Sequence, residues 1–151
     1  MEHPKAVGDR TTLAVMLALN AAGYDVLLPF GENTRYDLVI DRDQTFSRVQ
    51  CKTGRLRNGD VSFPTCSSYG HHRNPATANR GYSGEVDYFG VHCPETGGVY
   101  LIPLEDVPTA RTATLRIEPA RNGQQKQIRP GQSYEVGKVV LSAELRGRAG
   151  A

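Results

Sequence analysis

The sequence has no long apolar run. None of its hydrophobic stretches approaches the roughly 18 residues that a membrane-spanning helix needs, and the opening residues, MEHPKAVGDR, lack the charged and then apolar pattern of a signal peptide. These absences argue against a membrane protein and against a secreted one. We therefore expect a cytoplasmic protein with no membrane partner.

Cysteine is also scarce. The three cysteines, Cys51, Cys66 and Cys93, lack the close pairing of a zinc site, and their odd number argues against a disulfide framework. We expect buried, reduced thiols. A bond between Cys66 and Cys93 stays open as the alternative.

Positive and negative side chains are nearly equal in number, and the net charge of +2 indicates no class of partner. Its distribution is more informative, since residues 48–82 carry six basic side chains and one acidic one, and residues 107–151 carry eight and three. Lysine and arginine can replace the counterions of a phosphate backbone, so both segments are candidates for nucleic-acid contact. Ordinary solvated surface charge is the alternative for the C-terminal segment.

The length suits one domain. A chain of 151 residues falls within the roughly 100 to 200 residues of a typical domain and can bury a substantial core. We predict a single domain over residues 1–142 and a flexible tail over residues 143–151.

The most informative stretch is RYDLVIDRDQTFSRVQCKTGR, from Arg35 to Arg55. It contains two runs typical of β-strands, Tyr36–Asp41 and Phe46–Thr53, joined by four turn-forming residues. Because side chains alternate along a strand, Asp37 on the first run and Gln50 and Lys52 on the second can share one face. The opposite face then holds apolar residues suited to a core: Leu38, Ile40, Val49 and Cys51.

A family resemblance rests on this stretch. Asp37 followed by Gln50-Cys51-Lys52 resembles the PD-(D/E)xK nuclease signature. The longer phrases PFGENTRYDLVID, RVQCKTGR and GEVDYFGVHCPETGGVYLIPLEDV resemble the branch that includes intron-encoded homing endonucleases, with archaeal Holliday junction resolvases as more distant relatives. The resemblance covers about residues 8–107. That branch has glutamine where most members have an acidic residue, as at Gln50.

The resemblance implies a fold and a chemistry. The fold is α/β and restriction-endonuclease-like: a mixed β-sheet flanked by helices, with an N-terminal helix before a β-hairpin core. The chemistry is hydrolysis of duplex or branched DNA with Mg²⁺ or Mn²⁺, by a homodimer or homotetramer. Asp37 is the first choice of metal ligand, Gln50 and the backbone carbonyl of Cys51 are further ligands, and Lys52 supplies positive charge at the phosphate.

One position departs from the family pattern. The N-terminal helix of such enzymes usually supplies a glutamate to the metal, and the matching residue is Thr12. A hydroxyl is a poor replacement for a carboxylate. Asp9 or Asp41 is a candidate replacement on sequence proximity alone, and Thr12 itself reads better as a cap or surface residue than as a ligand.

The remaining elements follow from periodicity and breakers. We predict a largely buried helix over Asp9–Ala22, starting near Asp9 or the adjacent threonines, with apolar positions Leu13, Met16, Leu17 and Ala21. Predicted strands and turns follow it: a strand over Tyr24–Phe30, a hairpin at Asn58-Gly59, paired runs Val86–Cys93 and Val99–Leu104, a helical turn at Leu104–Val107, an edge strand over Thr112–Glu118, a loop over Arg121–Gly131 and a strand over Tyr134–Leu141.

Residues for DNA contact are predicted downstream of Lys52. The polar segment Ser67–Ser83 interleaves aromatic and basic residues, which suits contact with phosphates and bases. The candidates are Arg55, Arg57, His71, His72, Arg73 and Arg80. The paired histidines are an alternative, weaker metal site, and Glu85 with Asp87 reads either as a carboxylate pair or as a structural anchor for backbone or arginine.

Two functions from other classes compete with a nuclease. A nuclease scaffold that binds DNA without cutting it is suggested by Thr12 and Gln50. A protein-interaction module that presents its basic segments to an acidic partner is the second alternative.

Overall fold

The computed structural model describes residues 1–68, 79–107, 111–118 and 129–137. Short 3₁₀ turns cover Leu104–Asp106 and Gly131–Tyr134. The helix and strands in these ranges are α1 Pro4–Ala21, β1 Asp25–Leu27, β2 Leu38–Arg42, β3 Thr45–Thr53, β4 Arg55–Arg57, β5 Asp60–Pro64, β6 Ser67–Ser68, β7 Asn79–Arg80, β8 Tyr88–Cys93, β9 Gly98–Pro103 and β10 Thr112–Arg116.

The strands form a mixed central sheet and two smaller ones. The central sheet has the order β1-β2-β3-β8-β9, and the smaller sheets are β10-β5-β4 and β6-β7. Strands β3 and β8 pair in parallel, whereas the other neighbours in the central sheet are antiparallel. This arrangement confirms the α/β class, the mixed sheet and the order of helix before hairpin.

The helix begins earlier than predicted. Pro4 occupies the first turn, where a missing N–H costs nothing, and Nδ1 of His3 accepts a hydrogen bond from the N–H of Lys5 as the N-cap. Asp9 and the threonines are therefore interior positions of the helix, so the predicted start was wrong. The end is as expected, because Gly23 follows it with φ of +92°, a conformation that glycine adopts readily.

The prediction of a largely buried α1 is wrong, and the buried stripe of the helix also differs from the predicted one. Its buried residues are Thr11, Val15 and Leu19, while Leu13 and Leu17 are 63% and 71% exposed. The apolar positions available to the prediction lie on two faces of the helix, and the sheet selects the face that includes Thr11. The hydroxyl of Thr11 forms a 2.6 Å hydrogen bond with that of Thr53 on β3.

Two apolar cores lie on opposite faces of the central sheet. The first packs α1 against the sheet and includes Val15, Leu19, Leu38, Ile40, Val49, Cys51 and Leu101. The second packs the sheet against β5 and β10 and includes Val61, Phe63, Tyr82, Phe89, Val91, Ile102 and Leu115. Gly90 on β8 lets the helix approach closely, since a Cβ there would lie 2.8 Å from Cγ1 of Val15.

Two tight turns set the register of the hairpins. Asp43 and Gln44, between β2 and β3, have φ of 51° and 64°, and Asn58 and Gly59, between β4 and β5, have φ of 52° and 81°. Two consecutive residues with positive φ are the pattern of a type I′ hairpin turn, whose twist matches that of the strands. Both predicted turns are confirmed.

The β8–β9 hairpin, the 3₁₀ turn after it and β10 at an edge of its sheet are also confirmed. Two predicted strands need correction. The strand expected to run to Phe30 ends at Leu27, before Pro29, which has no N–H to donate to a neighbouring strand. In the described part of the expected strand after Tyr134, Glu135 makes one isolated bridge with Tyr100 and residues 136–137 form a turn.

Other expectations fall on residues that the structure does not describe. These are most of the Arg121–Gly131 loop, residues 138–141 and the tail over 143–151. Within the described ranges, no helix is long and apolar enough to cross a membrane.

Candidate active site

The candidate site lies where the chain enters β2 beside β3. The N–H of Asp37 donates to the carbonyl of Val49 at 2.8 Å. Two residues further along β3, the N–H of Cys51 donates to Oδ2 of Asp37, also at 2.8 Å. A side-chain carboxylate thus takes the place of a main-chain partner, and this hydrogen bond fixes Asp37 against β3.

The two faces of the hairpin are as predicted. Val49 and Cys51 pack in the core beneath α1, together with Leu38 of β2. Gln50 and Lys52 alternate with them and are half-buried on the opposite face. Because Asp37 adjoins Leu38, its side chain starts on the face of Gln50 and Lys52. The hairpin thus places the three predicted side chains on one face, and Lys52 is close enough to Asp37 for their charges to interact.

The charge of Asp37 is held in a partly desolvated place. Burial raises the pKa of the Asp37 carboxyl, because water no longer solvates its ionised form. The hydrogen bond from the N–H of Cys51 and the positive charge of Lys52 oppose this rise without cancelling it. A carboxylate in such a place gains from a nearby cation, which would restore the lost solvation.

The oxygen atoms around Asp37 suit a hard divalent cation. The amide of Gln50 lies against the carbonyl oxygen of Cys51, with Nε2 at 3.4 Å, and a rotation of that amide would present its oxygen instead. Carboxylate, amide and carbonyl oxygens are the donors that Mg²⁺ and Mn²⁺ prefer. Among the described residues, no three His, Cys, Asp or Glu side chains cluster as a metal site. Asp37 would thus be the single carboxylate in this donor set.

The thiol of Cys51 lies on the other side of the strand. It packs in the core beneath α1, where burial raises its pKa to about 12 and the charge of Asp37 adds to the rise. The nearby hydroxyl of Thr12 opposes this rise in the pKa of the thiol. At neutral pH the sulfur is a protonated thiol, which is a poor metal ligand, so only the carbonyl of Cys51 is available to the site.

The ammonium of Lys52 is held by two neutral acceptors. Nζ donates to the hydroxyl of Tyr82 at 3.0 Å and to the carbonyl of Cys66 at 3.3 Å. It also lies 4.7 Å from the centroid of the Tyr82 ring. Neither of these two acceptors carries a formal charge.

Comparison with known families identifies the family to which the chain belongs. A family model described as PD-(D/E)XK endonuclease matches residues 2–137. The chain belongs to the PD-(D/E)XK endonuclease family. This membership confirms the predicted family, and it makes the protein a nuclease.

One solved structure is similar to this protein over nearly the whole length of both chains. It is that of a bacterial homing endonuclease, I-Ssp6803I, with a TM-score of 0.76 and 22% sequence identity. The match covers 98% of this chain and 97% of that one. No curated protein matches the sequence. At this identity the similarity establishes the fold and supports the restriction-endonuclease-like assignment.

Thr12 departs from the family pattern, and the structure supplies no carboxylate in its place among the described residues. Thr12 is half-buried, donates to the carbonyl of Gly8 at 3.2 Å and lies against the Cys51 thiol. Asp9 is exposed on α1. Asp41 pairs with Phe46 near the far end of the hairpin, four residues along the strand from Asp37, or roughly 13 Å. Neither aspartate joins a metal-binding cluster.

Two residues that shape the site, Tyr82 and Arg35, were hard to recognise from the sequence. Tyr82 was predicted only as one aromatic residue of a polar segment, yet it is 4% exposed. The guanidinium of Arg35 lies 4.0 Å from the centroid of its ring and donates to Ser67 Oγ and to the carbonyl of Gly81, each at 2.8 Å. These contacts join residues 30 or more apart in sequence, which local patterns do not reveal.

Only some residues proposed for DNA contact can be placed. Arg55 and Arg57 are exposed on β4, which follows β3 directly. Arg80 lies on β7, of which the structure describes the backbone. His71, His72 and Arg73 lie outside the described residues. Contact of all six with DNA therefore stays a prediction.

The acidic pair and the cysteines have the structural roles that the sequence favoured. Glu85 forms an ion pair with Arg35 at 2.8 Å, and Asp87 accepts hydrogen bonds from the backbone and guanidinium of Arg48. The anchoring interpretation of both carboxylates is confirmed. All three cysteines are free thiols, so the alternative bond between Cys66 and Cys93 does not form. Cys51 and Cys93 are buried as predicted, whereas Cys66 is only half-buried.

Proposed function

We propose that the protein is a divalent-metal-dependent DNA endonuclease whose site is formed by Asp37, Gln50, Cys51 and Lys52. One observation carries the proposal. The carboxylate of Asp37 is fixed by the N–H of Cys51, beside a carbonyl and an amide and close enough to Lys52 for the two charges to interact. This arrangement combines a place for a cation with a positive charge for a phosphate.

Each residue has a defined task in this proposal. Asp37, the amide oxygen of Gln50 and the carbonyl of Cys51 would hold Mg²⁺ or Mn²⁺. The bound ion would supply an activated water and cancel phosphate charge, as divalent ions do in phosphodiester hydrolysis. Lys52 would direct its ammonium at the phosphate, where negative charge accumulates during attack.

The proposed substrate is duplex or branched DNA. Exposed Arg55 and Arg57 follow the site directly along the chain, and they would contact phosphates on one side of the scissile bond. His71, His72, Arg73 and Arg80 are proposed to extend that contact. Both a homing-endonuclease-like and a resolvase-like substrate agree with this basic segment.

A homodimer or homotetramer is proposed as the working form. Cutting both strands of a duplex needs two sites, and a two-fold assembly supplies them. Leu13 and Leu17 support a contact between copies, since they are 63% and 71% exposed one turn apart on the outer face of α1. Sedimentation velocity tests the assembly, because Leu13→Lys should lower the measured mass if this face is the interface.

The deciding experiment is cleavage of a panel of duplex, branched and single-stranded DNAs with Mg²⁺, with Mn²⁺ and with a chelator. The proposal predicts cleavage with either metal and none with the chelator. Cleavage that persists in the chelator would contradict metal dependence. A mobility shift without nicking would favour the inactive DNA-binding scaffold, and no shift with any DNA would favour the protein-interaction module.

A further inference from the structure

Tyr82 is buried at the base of the proposed site with its hydroxyl directed at Lys52. Its side chain is 4% exposed, and its ring meets that of Phe89 edge to face, with centroids 5.6 Å apart and planes at 88°. A phenol buried in an apolar core needs a hydrogen-bond partner. Its partner is Nζ of Lys52, at 3.0 Å.

The cations of Lys52 and Arg35 both contact the Tyr82 ring. They also join residues 66–67 to residues 81–82. Lys52 reaches the Cys66 carbonyl and the Tyr82 hydroxyl. Arg35 reaches Ser67 Oγ and the Gly81 carbonyl, while its guanidinium lies against the Tyr82 ring. The ring is thereby fixed by Phe89 and by Arg35, so its hydroxyl is a rigid point from which to orient a flexible lysine.

The hydrogen bonds of Lys52 leave it able to act on a substrate. An ammonium group has three N–H donors, and two of them have protein acceptors. In the described part of the chain, no carboxylate forms a salt bridge with Nζ. The third N–H donor thus remains for a phosphate oxygen. Lysine loses substantial side-chain entropy when it is ordered, and here the protein meets that cost before DNA arrives.

We propose that Tyr82 is a positioning residue that holds the Lys52 ammonium beside Asp37 through its phenolic oxygen. The inference rests on the proposed role of Lys52 and adds the residue that sets its geometry. Tyr82 itself has no contact with the substrate in this account. A purely structural Tyr82 would need only its ring, whereas a positioning residue needs its hydroxyl.

Tyr82→Phe separates these roles, because it keeps the ring and removes the hydroxyl. Under single-turnover conditions with saturating DNA and Mg²⁺, the cleavage rate should fall by about tenfold, the scale of one hydrogen bond to a charged group. DNA affinity should stay close to that of the unchanged protein, and the variant should remain folded at the assay temperature. Tyr134→Phe is the matched control, since its hydroxyl donates to Asp106 at 3.0 Å at an exposed position, and its rate should not change.

Order of the Lys52 side chain gives a readout that does not depend on cleavage. The chain has only four lysines, Lys5, Lys52, Lys126 and Lys138, so ¹³Cε relaxation can be followed residue by residue. We expect the order parameter of Lys52 Cε to fall in Tyr82→Phe and to be unchanged in Tyr134→Phe.

The outcomes separate this inference from the proposed function. If Lys52→Ala abolishes cleavage while Tyr82→Phe cleaves at the full rate, Lys52 is catalytic and the positioning role is overturned. A slower Tyr82→Phe with unchanged Lys52 order overturns it as well. If Lys52→Ala still cleaves, the proposed role of Lys52 fails, and Tyr82 cannot act on cleavage through it.

Discussion

The backbone N–H of Cys51 and the carboxylate of Asp37 are joined by a 2.8 Å hydrogen bond. In a regular pair of strands, this N–H would donate to a main-chain carbonyl of the neighbouring strand. Here it donates to the carboxylate, so β3 orients the side chain of Asp37. Because the donor of this contact is the backbone of β3, the position of the acidic group is set by the strand. The amide of Gln50 and the ammonium of Lys52 take their places from the same strand.

Asp37→Asn should weaken metal use without disturbing the fold. The amide oxygen of asparagine can still accept from the N–H of Cys51, but the negative charge is lost. The Mg²⁺ concentration for half-maximal cleavage should rise by about tenfold or more, measured by titrating the cleavage rate against Mg²⁺. Asp41→Asn, at the far end of the hairpin, is the control. An unchanged curve for Asp37→Asn would mean that the cation binds elsewhere.

The cleavage rate should fall in acid as the Asp37 carboxyl takes up a proton. Burial raises the pKa of this group, so the loss should begin at a higher pH than for an exposed aspartate. Metal and proton compete for the same oxygens, and more Mg²⁺ should therefore move the acid limb of the pH–rate profile to lower pH. An acid limb that does not respond to Mg²⁺ would contradict this assignment.

The raised pKa of the Asp37 carboxyl also affects the free energy of unfolding, but in the opposite direction: this contribution is lost as pH rises, whereas the cleavage rate is lost as pH falls. A carboxyl whose folded pKa lies above its unfolded value favours folding when protonated, and this contribution is lost as pH rises through the folded pKa. Asp37→Asn should therefore stabilise the metal-free protein more at pH 7 than at pH 4, relative to the unchanged protein. Urea unfolding at the two pH values measures the difference, and a larger gain at pH 4 would contradict it.

Thr12→Glu should strengthen metal binding. Thr12 and Asp37 both act on the Cys51 thiol, so a carboxylate on α1 would enter the neighbourhood of Asp37. The Mg²⁺ concentration for half-maximal cleavage should fall, since an added carboxylate raises the affinity for a hard cation. Thr12→Gln, of similar length and without charge, is the matched control. Equal effects of the two variants would show that charge at this position does not reach the ion.

Gly90→Ala should destabilise the packing of α1 on the sheet. An added Cβ would lie 2.8 Å from Cγ1 of Val15 and 3.1 Å from Cγ1 of Val49. Overpacking of this kind costs about 1 to 3 kcal/mol in the free energy of unfolding. Gly8→Ala, on α1 itself, is the control, because a Cβ there meets nothing within 4 Å. It should raise the free energy of unfolding by about 0.5 to 1 kcal/mol. Equal stability of Gly90→Ala and the unchanged protein would contradict the close approach.

Much of the site could be predicted because its information is local. Alternation along β3 placed Gln50 and Lys52 opposite Val49 and Cys51, and the burial of the latter two confirms it. The Asn58-Gly59 turn was equally accessible, because positive φ at two successive residues selects such pairs. These features depend on neighbours one to four residues apart.

The buried face of α1 and the partners of Lys52 and Arg35 could not be predicted, because they depend on contacts between residues far apart in the sequence. Leu13 and Leu17 are as apolar as Leu19, and only the position of the sheet decides which of them is buried. Lys52 meets a hydroxyl 30 residues later in the chain, and Arg35 meets the carbonyl of Gly81 46 residues later. The departure at Thr12 was visible in the sequence, but its contact with the Cys51 thiol was not.

The most direct test of the account is single-turnover DNA cleavage by Lys52→Ala with saturating Mg²⁺, beside Lys5→Ala as the control at the exposed start of α1. Lys52→Ala should lose at least about a hundredfold in cleavage rate, the scale of an electrostatic contribution to the transition state, with fold and most DNA affinity intact. Lys5→Ala should cleave at the full rate. Undiminished cleavage by a folded Lys52→Ala protein would contradict the account.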